Sequence, residues 1–440
     1  MSQRYDAIIV GGGVAGSTAA ILLAAAGWSV ALVEKKAFPR RKVCGECIAA
    51  PNLALLDVLG VRAEFAEVAG PPLTRVGLYV GEETMSADLP RLDGDFAFAR
   101  ALGRERLDTL LLERAARLGV ATWQPSTVKE IERRGSRYVC QLALERSEAE
   151  LEAPVLIRAH GSWEPQSWSE RAKRARPGDL VAFKASFSGA GLEPGLLPVL
   201  AFRGGYGGMV VADGGMLTLA CCVRRDTLRA WRAAAPREAW MPEVEQRREQ
   251  LPTASAGDAV QAALAASCRG VRVALDGARR EGPWLSVGPV RPGIRAAWSE
   301  RSGFAVGNAA GEAHPILGEG ISMAMQSSWL LCGRLTRERD ALLGGAPQAA
   351  VARAYARDWR RHFAARVRSA AVLAHLAMRP DRARPLLPLL RAAPSILTIL
   401  ARLGGKVRSL DARKIERGPE LVSARTMVAT TVLRLGDKDA

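Results

Sequence analysis

The chain has 440 residues, of which 48% are hydrophobic, and a formal net charge of +17. This composition excludes a disordered chain, and the length allows two or three domains with large cores. The seven cysteines and four histidines are scattered. Because they show neither a disulfide framework nor metal-ligand spacing, we expect no metal site and a reducing, cytoplasmic compartment.

The first 34 residues are mostly apolar and are interrupted by glycines. Residues 5–10 predict a short buried strand, 17–26 a helix, and 28–34 a second strand parallel to the first. A membrane helix or signal anchor would also be apolar, but it would not explain the glycines, and no basic region precedes the segment. The sequence therefore predicts a βαβ unit.

The pattern Gly-x-Gly-x-x-Gly at residues 11–16 lies between the first strand and the helix. Its first glycine permits a tight turn, its second lets a pyrophosphate approach the backbone, and its third lets helix and strand pack closely. The helix start presents N–H groups to phosphates, and the carboxylate that ends the second strand can bind an adenosine ribose. The predicted dinucleotide-binding residues of this unit are Gly11, Gly13, Val14, Ala15, Gly16, Glu34 and Lys35.

The remaining chain alternates between helix and strand signals. Helices are predicted over 52–59, 101–118 and most of 226–267, and strands at 127–131, 138–144 and 155–159. Residues 180–224 predict strands of an antiparallel sheet, separated by glycine-rich turns at 204–208 and 213–215. Residues 303–335 return to strand, loop and helix, and beyond about residue 346 the chain is predicted to be helical and basic.

Three further motifs resemble those of a known family. Residues 303–325, with Gly-Asn-Ala-Ala-Gly followed by Gly-Glu-Gly-Ile, resemble the second FAD motif of flavoprotein monooxygenases and geranylgeranyl reductases. The segment Arg41-Lys-Val-Cys-Gly-Glu46 is similar to the loop that these proteins fold beside the isoalloxazine ring. Gly103-Arg-x-x-Leu-Asp108 resembles their helix whose arginine reaches the FAD phosphates.

This resemblance covers roughly residues 1–370. It implies a p-hydroxybenzoate-hydroxylase-like fold with one tightly held, non-covalent FAD. The residues that it adds to the predicted FAD site are Arg41, Cys44, Arg104, Val128, Asn308, Gly318, Gly320 and Ile321. Physical reasoning agrees for the second motif, because a helix starting at residue 320 can aim its N–H groups at the flavin edge that becomes negative on reduction.

The sequence departs from the family pattern in several places. The family's aspartate is Asn308 here, which keeps hydrogen bonding but removes a charge. Ala159-His160-Gly161 stands where many aromatic hydroxylases carry Asp-Gly. Since no second Gly-x-Gly-x-x-Gly occurs, NAD(P)H is expected to bind only transiently, as the reductant. The Trp-x-Trp-x-Ile-Pro motif of flavin halogenases is absent, which counts against halogenation.

Together these motifs predict an α/β fold in which a Rossmann-type FAD domain is interleaved with an antiparallel-sheet substrate domain. The FAD-binding domain is predicted to comprise residues 1–75, 100–175 and 285–345. The substrate-binding domain is predicted to comprise residues 76–99 and 176–284. Residues 346–440 are predicted to form a basic helical C-terminal region.

Three residues are candidates for catalysis. His314 can act as an acid or base near neutral pH, or it can be a structural residue of its loop. Glu46 can be a base, or it can form a salt bridge with Lys42 or Arg41. Tyr206, flanked by glycines, either lines the substrate face of the sheet or belongs to a turn. Cys44 and Cys47 have the spacing of a redox pair, but a loop position is unusual for one.

Three functions are compatible with these residues. The first is an NAD(P)H- and O2-dependent monooxygenase that hydroxylates a hydrophobic aromatic or polyketide-like compound of secondary metabolism. The alternative is an FAD-dependent ene-reductase that acts on prenyl or other lipid chains. The third is a flavin-bearing binding protein with little turnover that docks a membrane or carrier protein.

The last part of the chain carries most of the excess charge, with 22 Lys and Arg against 9 Asp and Glu between residues 329 and 440. Such asymmetry indicates either solvated helices or attraction to something anionic. We expect a hydrophobic small-molecule substrate and no nucleic-acid partner, because the basic residues lack interleaved aromatics. An anionic membrane surface and an acidic carrier protein both remain candidate partners, so a membrane-peripheral location stays open beside a cytoplasmic one.

Overall fold

The computed structural model describes residues 2–91, 97–162, 176–234, 255–383, 385, 387–393 and 395–403. The parts of the predicted domains at 92–96, 163–175 and 235–254, and the predicted C-terminal region beyond 403, lie outside the described residues. The helices are α1 Val14–Ala25, α2 Leu53–Val58, α3 Arg62–Val68, α4 Arg104–Arg117, α5 Arg225–Ala234, α6 Ala256–Ser267, α7 Arg269–Ala274, α8 Gly320–Arg337, α9 Arg339–Leu343, α10 Ala349–Ala377, α11 Pro380–Ala383, α12 Leu387–Ala392 and α13 Ser395–Leu403.

The strands are β1 Gln3–Arg4, β2 Ala7–Val10, β3 Val30–Val33, β4 Cys47–Ile48, β5 Arg75–Val80, β6 Glu83–Asp88, β7 Arg100–Ala101, β8 Ala121–Trp123, β9 Thr127–Arg134, β10 Arg137–Ala143, β11 Glu148–Ala153, β12 Val155–Arg158, β13 Leu180–Ser188, β14 Leu196–Phe202, β15 Gly205–Val211, β16 Leu217–Arg224, β17 Arg279–Arg280, β18 Leu285–Val290, β19 Gly293–Ile294, β20 Trp298–Ser299, β21 Gly303–Ala305 and β22 Gly311–Glu312.

A six-stranded sheet forms the centre of the first unit, in the order β20-β21-β12-β2-β3-β8. All of its neighbouring strands run parallel except β20 and β21. Every residue of β2 and β3 is buried, which explains their uninterrupted apolar sequence. Because α1 connects β2 to β3, the predicted βαβ unit and the Rossmann-type domain around it are confirmed.

An eight-stranded sheet forms the second unit, in the order β17-β13-β16-β15-β14-β5-β6, with β18 also paired to β13. Its strands are antiparallel except for the pair β5–β14. Within residues 180–224 the strands pair only antiparallel with one another, which confirms the sheet that the sequence predicted there. The parallel pair arises because β5 comes from a distant part of the chain, and no hairpin therefore fixes its direction.

One predicted turn is mostly strand. The sequence predicted a glycine-rich turn over 204–208, but β15 already begins at Gly205. A Cβ on Gly205 would lie 2.1 Å from the Phe202 ring, and one on Gly207 would lie 2.7 Å from the carbonyl oxygen of Ala220. These glycines therefore allow close packing within the sheet rather than a change of chain direction.

The two faces of the eight-stranded sheet have different neighbours. On the outer face, Phe183 and Leu219 pack with Leu264 of α6. The alternate residues Ala182, Tyr206 and Cys222 point to the inner face. They form a second cluster with side chains of the loops and helix that belong to the first unit: Val43, Ile316 and Ala374. The inner face is therefore the junction between the two units.

Helix α10 buries one side against the core of the first unit, through Tyr355, Trp359, Phe363 and Val367. The helical nature predicted for the chain beyond residue 346 is thus confirmed for the part that the structure describes. Farther along, Leu397 of α13 packs on Val76 and Leu89 at the edge of the eight-stranded sheet. Within the described ranges, none of the helices has both the length and the apolar character needed to cross a membrane.

Candidate functional site

The glycine loop between β2 and α1 leaves no room for a side chain at its first and last glycines. Gly11 has a φ of +111°, and a Cβ there would lie 2.5 Å from the carbonyl oxygen of Ala159. A Cβ on Gly16 would lie 1.8 Å from the carbonyl oxygen of Gly11. Gly13 precedes α1, and no side chain caps that helix end. The first N–H groups of α1, at Val14 and Ala15, are therefore directed at the space in front of the loop.

Glu34, at the end of β3, supports this loop. Its buried carboxylate accepts hydrogen bonds from the N–H groups of Gly12 (2.7 Å) and Lys36 (2.9 Å). The neighbouring Lys35 is exposed. The carbonyl oxygen of Glu34 accepts from the N–H of Ser126 at 2.8 Å. This bond brings the start of β9, with the buried Val128, beside the end of β3.

Three cations gather in front of the glycine loop. A Cβ on Gly13 would lie 3.6 Å from the guanidinium of Arg104 and 3.7 Å from that of Arg40. Arg104 makes two 2.7 Å bonds to Asp108, while Arg40 lies 3.7 Å from the same carboxylate. Burial of the ammonium group, and then the charge of Arg104, lower the pKa of Lys42 to about 8. Burial disfavours the charged form of Arg104, but Asp108 and Cys44 outweigh it and raise the pKa of Arg104.

The predicted Arg41 points elsewhere. Its guanidinium lies 3.7 Å from Glu105 and donates to the carbonyl oxygen of Glu281 at 3.3 Å. Of its two neighbours, Arg40 lies beside the glycine loop, and Lys42 belongs to the group of charges formed with Arg104 and Asp108. Residues two apart lie on the same side of an extended segment, and that alternation is the sequence signal that groups positions 40 and 42.

The second predicted motif lies against the first. A Cβ on Gly307 would lie 3.0 Å from the Cβ of Ala15. The hydroxyl of Ser328 in α8 donates to the carbonyl oxygen of Ala15 at 2.8 Å, and the hydroxyl of Ser327 accepts from the N–H of Gly307 at 2.8 Å. Two segments about 300 residues apart in sequence therefore meet at the start of α1.

Asn308 and the start of α8 are the remaining parts of the second motif. The Asn308 amide donates to the hydroxyl of Ser162 (3.0 Å) and to Glu312 (3.3 Å). Glu312 is buried and pairs with Arg295 at 3.2 Å. Gly318 has a φ of +64°, and a Cβ on Gly320 would meet no atom within 4 Å. The N-terminal end of α8, at Gly320 and Ile321, therefore borders open space.

Glu46 connects the loop at 40–47 to the eight-stranded sheet. Its φ is +59°, and Glu46 is the only non-glycine residue among those described that has a positive φ. The buried carboxylate pairs with Lys184 of β13, accepts from the hydroxyl of Thr218 at 2.6 Å, and accepts from the N–H of Arg104 at 3.1 Å. The sequence suggested a base or a salt bridge to Lys42 or Arg41. The observed partner is Lys184, which lies far away in sequence and which sequence reasoning missed.

Tyr206 and His314 meet on the inner face of the sheet. The Tyr206 hydroxyl lies 3.0 Å from Nδ1 of His314. Burial raises the pKa of the Tyr206 phenol, so the phenol keeps its proton. Burial, and then the charge of His375, lower the pKa of His314 to about 4. The imidazole is therefore uncharged at neutral pH, where the sequence suggested an acid or base that titrates near neutrality.

No disulfide joins the two cysteines of the loop. The sulfur of Cys44 accepts from the N–H of Glu46 at 3.4 Å. Cys47 is buried in β4, and its Cβ would lie 3.8 Å from a Cβ on Gly318. Cys47 therefore sits beside the turn that precedes α8, while Cys44 lies near Arg104.

These residues fit FAD. The glycine loop, in which Gly11 and Gly16 have no room for a Cβ, and the uncapped start of α1 form a cradle. Three cations and two carboxylates face this cradle, which suits a diphosphate. Arg40, Lys42 and Arg104 would hold the phosphates, Glu34 and the start of β9 would border the adenosine, and the start of α8 would face the flavin. The eight-stranded sheet then closes the far side of the site.

Comparison with protein families matches residues 4–370 to the family described as FAD binding domain. Among curated proteins, the chain is similar to a tryptophan 2-halogenase of Chondromyces crocatus, with 38% identity over 133 residues, 30% of this chain and 25% of that protein. It is also similar to a 1H-pyrrole-2-carbonyl-(peptidyl-carrier protein) chlorinase of Pseudomonas fluorescens, with 29% identity over 179 residues, 36% of this chain and 39% of that protein. The matches thus span a quarter to two fifths of the length of these relatives.

Solved structures share the fold over most of the chain. The flavin-dependent brominase Bmp2 superposes with a TM-score of 0.69 at 18% identity, over 98% of this chain and 100% of that one. A geranylgeranyl bacteriochlorophyll reductase-like protein from Thermoplasma acidophilum gives 0.66 at 17% identity, over 96% of both chains. PqsL of P. aeruginosa gives 0.66 at 18% identity, over 86% of this chain and 98% of that one.

Proposed function

The chain belongs to the FAD binding domain family, and from this membership we propose that it is an NAD(P)H- and O2-dependent monooxygenase of a hydrophobic aromatic or polyketide-like metabolite. At the coarser level it is an FAD-dependent oxidoreductase of the flavoprotein monooxygenase family. When bound, FAD supplies the redox chemistry that connects NAD(P)H to oxygen. The protein's own residues must bind the substrate, orient it and keep water away.

The observation that carries the proposal is the uncharged pair of Tyr206 and His314 in an otherwise apolar lining. The Tyr206 hydroxyl and Nδ1 of His314 lie 3.0 Å apart. Both groups are uncharged, and which of them donates across this contact depends on the tautomer of the imidazole. In either tautomer, Nε2 of the ring is left for one further hydrogen bond, as a donor or as an acceptor. The surrounding side chains are apolar or weakly polar: Val43, Leu180, Ala182, Cys222, Val287, Val290, Ile316 and Met378.

Such a lining suits a planar apolar substrate with one hydroxyl or carbonyl group. Apolar walls bind the ring by burial, and a small number of polar groups fixes its orientation. An uncharged pair gives orientation without the desolvation cost of a buried ion. A straight prenyl chain would use the apolar walls but would leave the hydrogen-bonding pair without a partner.

The test is the stoichiometry of the reaction. Purified FAD-loaded protein is mixed with NADH or NADPH and a panel of phenols and aromatic polyketides, while oxygen uptake and NAD(P)H oxidation are recorded. The proposal expects one O2 and one NAD(P)H consumed per product, and a product that gains one oxygen atom. A reduced alkene formed without oxygen would instead identify the ene-reductase. No turnover with any compound, despite bound FAD, would identify the low-turnover binding protein.

Halogenation is a second candidate, because both curated relatives named above carry out halogenation by their descriptions. The absence of the Trp-x-Trp-x-Ile-Pro motif from this chain counts against it. The same assay decides the question when chloride or bromide is added, since a halogenase product gains a halogen in place of hydrogen. A product that carries oxygen alone in the presence of either halide would exclude halogenation of that substrate.

A further inference from the structure

Helix α10 presents a row of arginines to solvent. Five of them are exposed and lie on the side opposite the core: Arg353, Arg357, Arg360, Arg361 and Arg368. We call this set the arginine stripe. None of the five forms an ion pair with a carboxylate within the described part of the chain, whereas the neighbouring Arg334 and Arg366 pair with Asp358 and Glu319.

The stripe concentrates positive charge along one line. Between residues 353 and 368 the helix advances about 22 Å, and the charges fall within a few Debye lengths of about 8 Å each. Like charges at this spacing repel one another in the free protein. An anionic partner that covers the stripe would remove this repulsion and would also add attraction.

Geometry favours an acidic protein over a lipid surface. A helix that lies in a membrane inserts its apolar face among the lipids. In α10 that face is already buried, through Tyr355, Trp359 and Phe363, in the core of the first unit. The exposed large apolar residues of α10 are confined to its C-terminal end, where Val372 is 61% and Leu376 is 44% exposed. A small apolar contact beside arginines is typical of a protein–protein interface.

Beyond the arginine stripe, the last turn of α10 and the residues after it line a cleft. The cleft has a volume of about 260 Å³. Its lining is rich in cationic groups and consists of Arg203, Gly204, Arg224, Asp226, Thr227, His375, Met378 and Arg379. The ring of His375 contacts that of His314, with centroids 6.4 Å apart, and His314 contacts Tyr206. A residue of the cleft lining, His375, therefore contacts a residue of the proposed substrate site, His314.

We propose that the arginine stripe docks an acidic protein partner, which presents the substrate to the cleft on an arm that carries a phosphate or another anion. The stripe supplies long-range attraction, and Val372 and Leu376 supply the apolar contact. In the cleft, where Arg203 and Arg224 pair with Asp381 and Asp226, Arg379 binds the anionic group of the arm. Delivery of the substrate rests on the proposed function of the inner face. Docking itself does not, and it is therefore tested without turnover.

The first experiment measures docking by fluorescence anisotropy, with a labelled phosphopantetheinylated acyl carrier protein as the probe and the FAD-loaded full chain as the receptor. The variant R357E/R361E/R368E reverses three charges of the stripe. The matched control R146E/R269E/R301E reverses three exposed arginines on other surfaces, which likewise lack an ion pair among the described residues. We expect the stripe variant to lose on the order of tenfold or more in affinity, and the control less than about threefold.

Several outcomes would overturn the proposal. Equal losses in both variants would show that only net charge matters, and unchanged binding in both would show that the stripe has no role. Phosphatidylglycerol vesicles that bind the wild type more tightly than the carrier protein does, and that lose binding in the stripe variant, would assign the surface to a membrane. Bound flavin and circular dichroism equal to the wild type verify that each variant is folded.

A second variant tests the cleft. Arg379→Gln removes one cation from the cleft lining, and Arg382→Gln serves as the control, since Arg382 is exposed outside that lining. We expect Arg379→Gln to weaken the phosphopantetheinylated carrier several-fold while leaving the carrier without the arm unaffected. Equal weakening of both forms would refute the role of the cleft. A failed hydroxylation assay leaves these binding results unchanged, so the two proposals fail independently.

Discussion

Replacing Lys184 by Met tests the connection between the flavin-side loop and the eight-stranded sheet. Lys184 is 5% and Glu46 2% exposed, and the two side chains pair directly. The change leaves the Glu46 carboxylate buried, with the Thr218 hydroxyl at 2.6 Å and the Arg104 N–H at 3.1 Å as its remaining contacts. Removing one partner of a buried ion pair typically costs about 3–5 kcal/mol, because the other charge is left uncompensated.

The expected loss of unfolding free energy depends on the burial of the ion pair rather than on its nitrogen–oxygen distance. An exposed ion pair of the same chain serves as the control. Arg75 and Glu193 also pair directly, with nitrogen–oxygen distances of 2.7 and 2.9 Å, but their side chains are 36% and 59% exposed. Solvent screening limits an exposed pair to about 0–1 kcal/mol. Arg75→Gln is therefore expected to change the free energy of unfolding by no more than that.

The assay is urea denaturation of FAD-free protein, followed by tryptophan fluorescence, for K184M, E46Q, the double variant E46Q/K184M and R75Q. Because the double variant removes both charges, it should cost clearly less than the sum of the single variants, with a coupling of roughly 1–3 kcal/mol. The reasoning is refuted if K184M costs no more than R75Q, or if the two single costs simply add. Either result would mean that the pair is solvated in the folded protein.

Three further predictions concern the individual parts of the site. Gly16→Ala should abolish FAD retention, measured as bound-flavin absorbance after gel filtration, because its Cβ would lie 1.8 Å from the carbonyl oxygen of Gly11; retained flavin would contradict the fitted cradle. The pKa of Lys42 is lowered from 10.5 to about 8. Between these pH values the unfolded chain binds the proton that the folded chain has lost, so the free energy of unfolding should rise with pH across that window. Lys42→Met should flatten this rise, and an unchanged slope would disprove the assignment. The pKa of His314 is lowered to about 4. His314→Gln should therefore keep kcat/KM within about fivefold and leave the pH profile of kcat/KM between about pH 6 and 8 unchanged. If the variant loses the decrease of kcat/KM at high pH that the wild type shows, His314 acts as a charged acid.

The parts of the site that depend on local backbone constraints could be predicted from the sequence. Gly11 and Gly16 are dictated by the turn and by helix packing within a few residues, so their pattern is readable in a single segment. The periodic arginines of α10 are likewise local. The partner of Glu46 could not be read in this way, because Lys184 is 138 residues away and reaches it only through the packing of two units.

Two other features of the site could not be predicted from the sequence, because they too depend on contacts between distant segments. The resemblance assigned Arg41 to the loop beside the flavin ring, but it did not indicate that Arg40 lies beside the glycine loop, because that contact depends on how residues 40–47 pack against α4. The titration of His314 depends on burial and on His375, which belongs to the distant helix α10. Residue type and spacing predict which groups can do chemistry, whereas their charge state is set by neighbours that only the fold brings together.

The basic residues of the chain lie in two environments, one buried and one exposed, and binding at the two should respond differently to salt. Arg40, Lys42 and Arg104 face the glycine loop, where Arg104 is 8% exposed and the Arg40 side chain 19%. The arginine stripe of α10 is exposed. Ionic screening acts strongly on exposed charges and weakly on buried ones. Raising sodium chloride from about 0.05 M to about 0.5 M should therefore weaken carrier-protein binding by at least about tenfold, while the fraction of protein that retains flavin after gel filtration stays constant. Flavin release at the higher salt concentration would show that the phosphate-binding cations are solvated, and salt-independent carrier binding would remove the electrostatic basis for docking on α10.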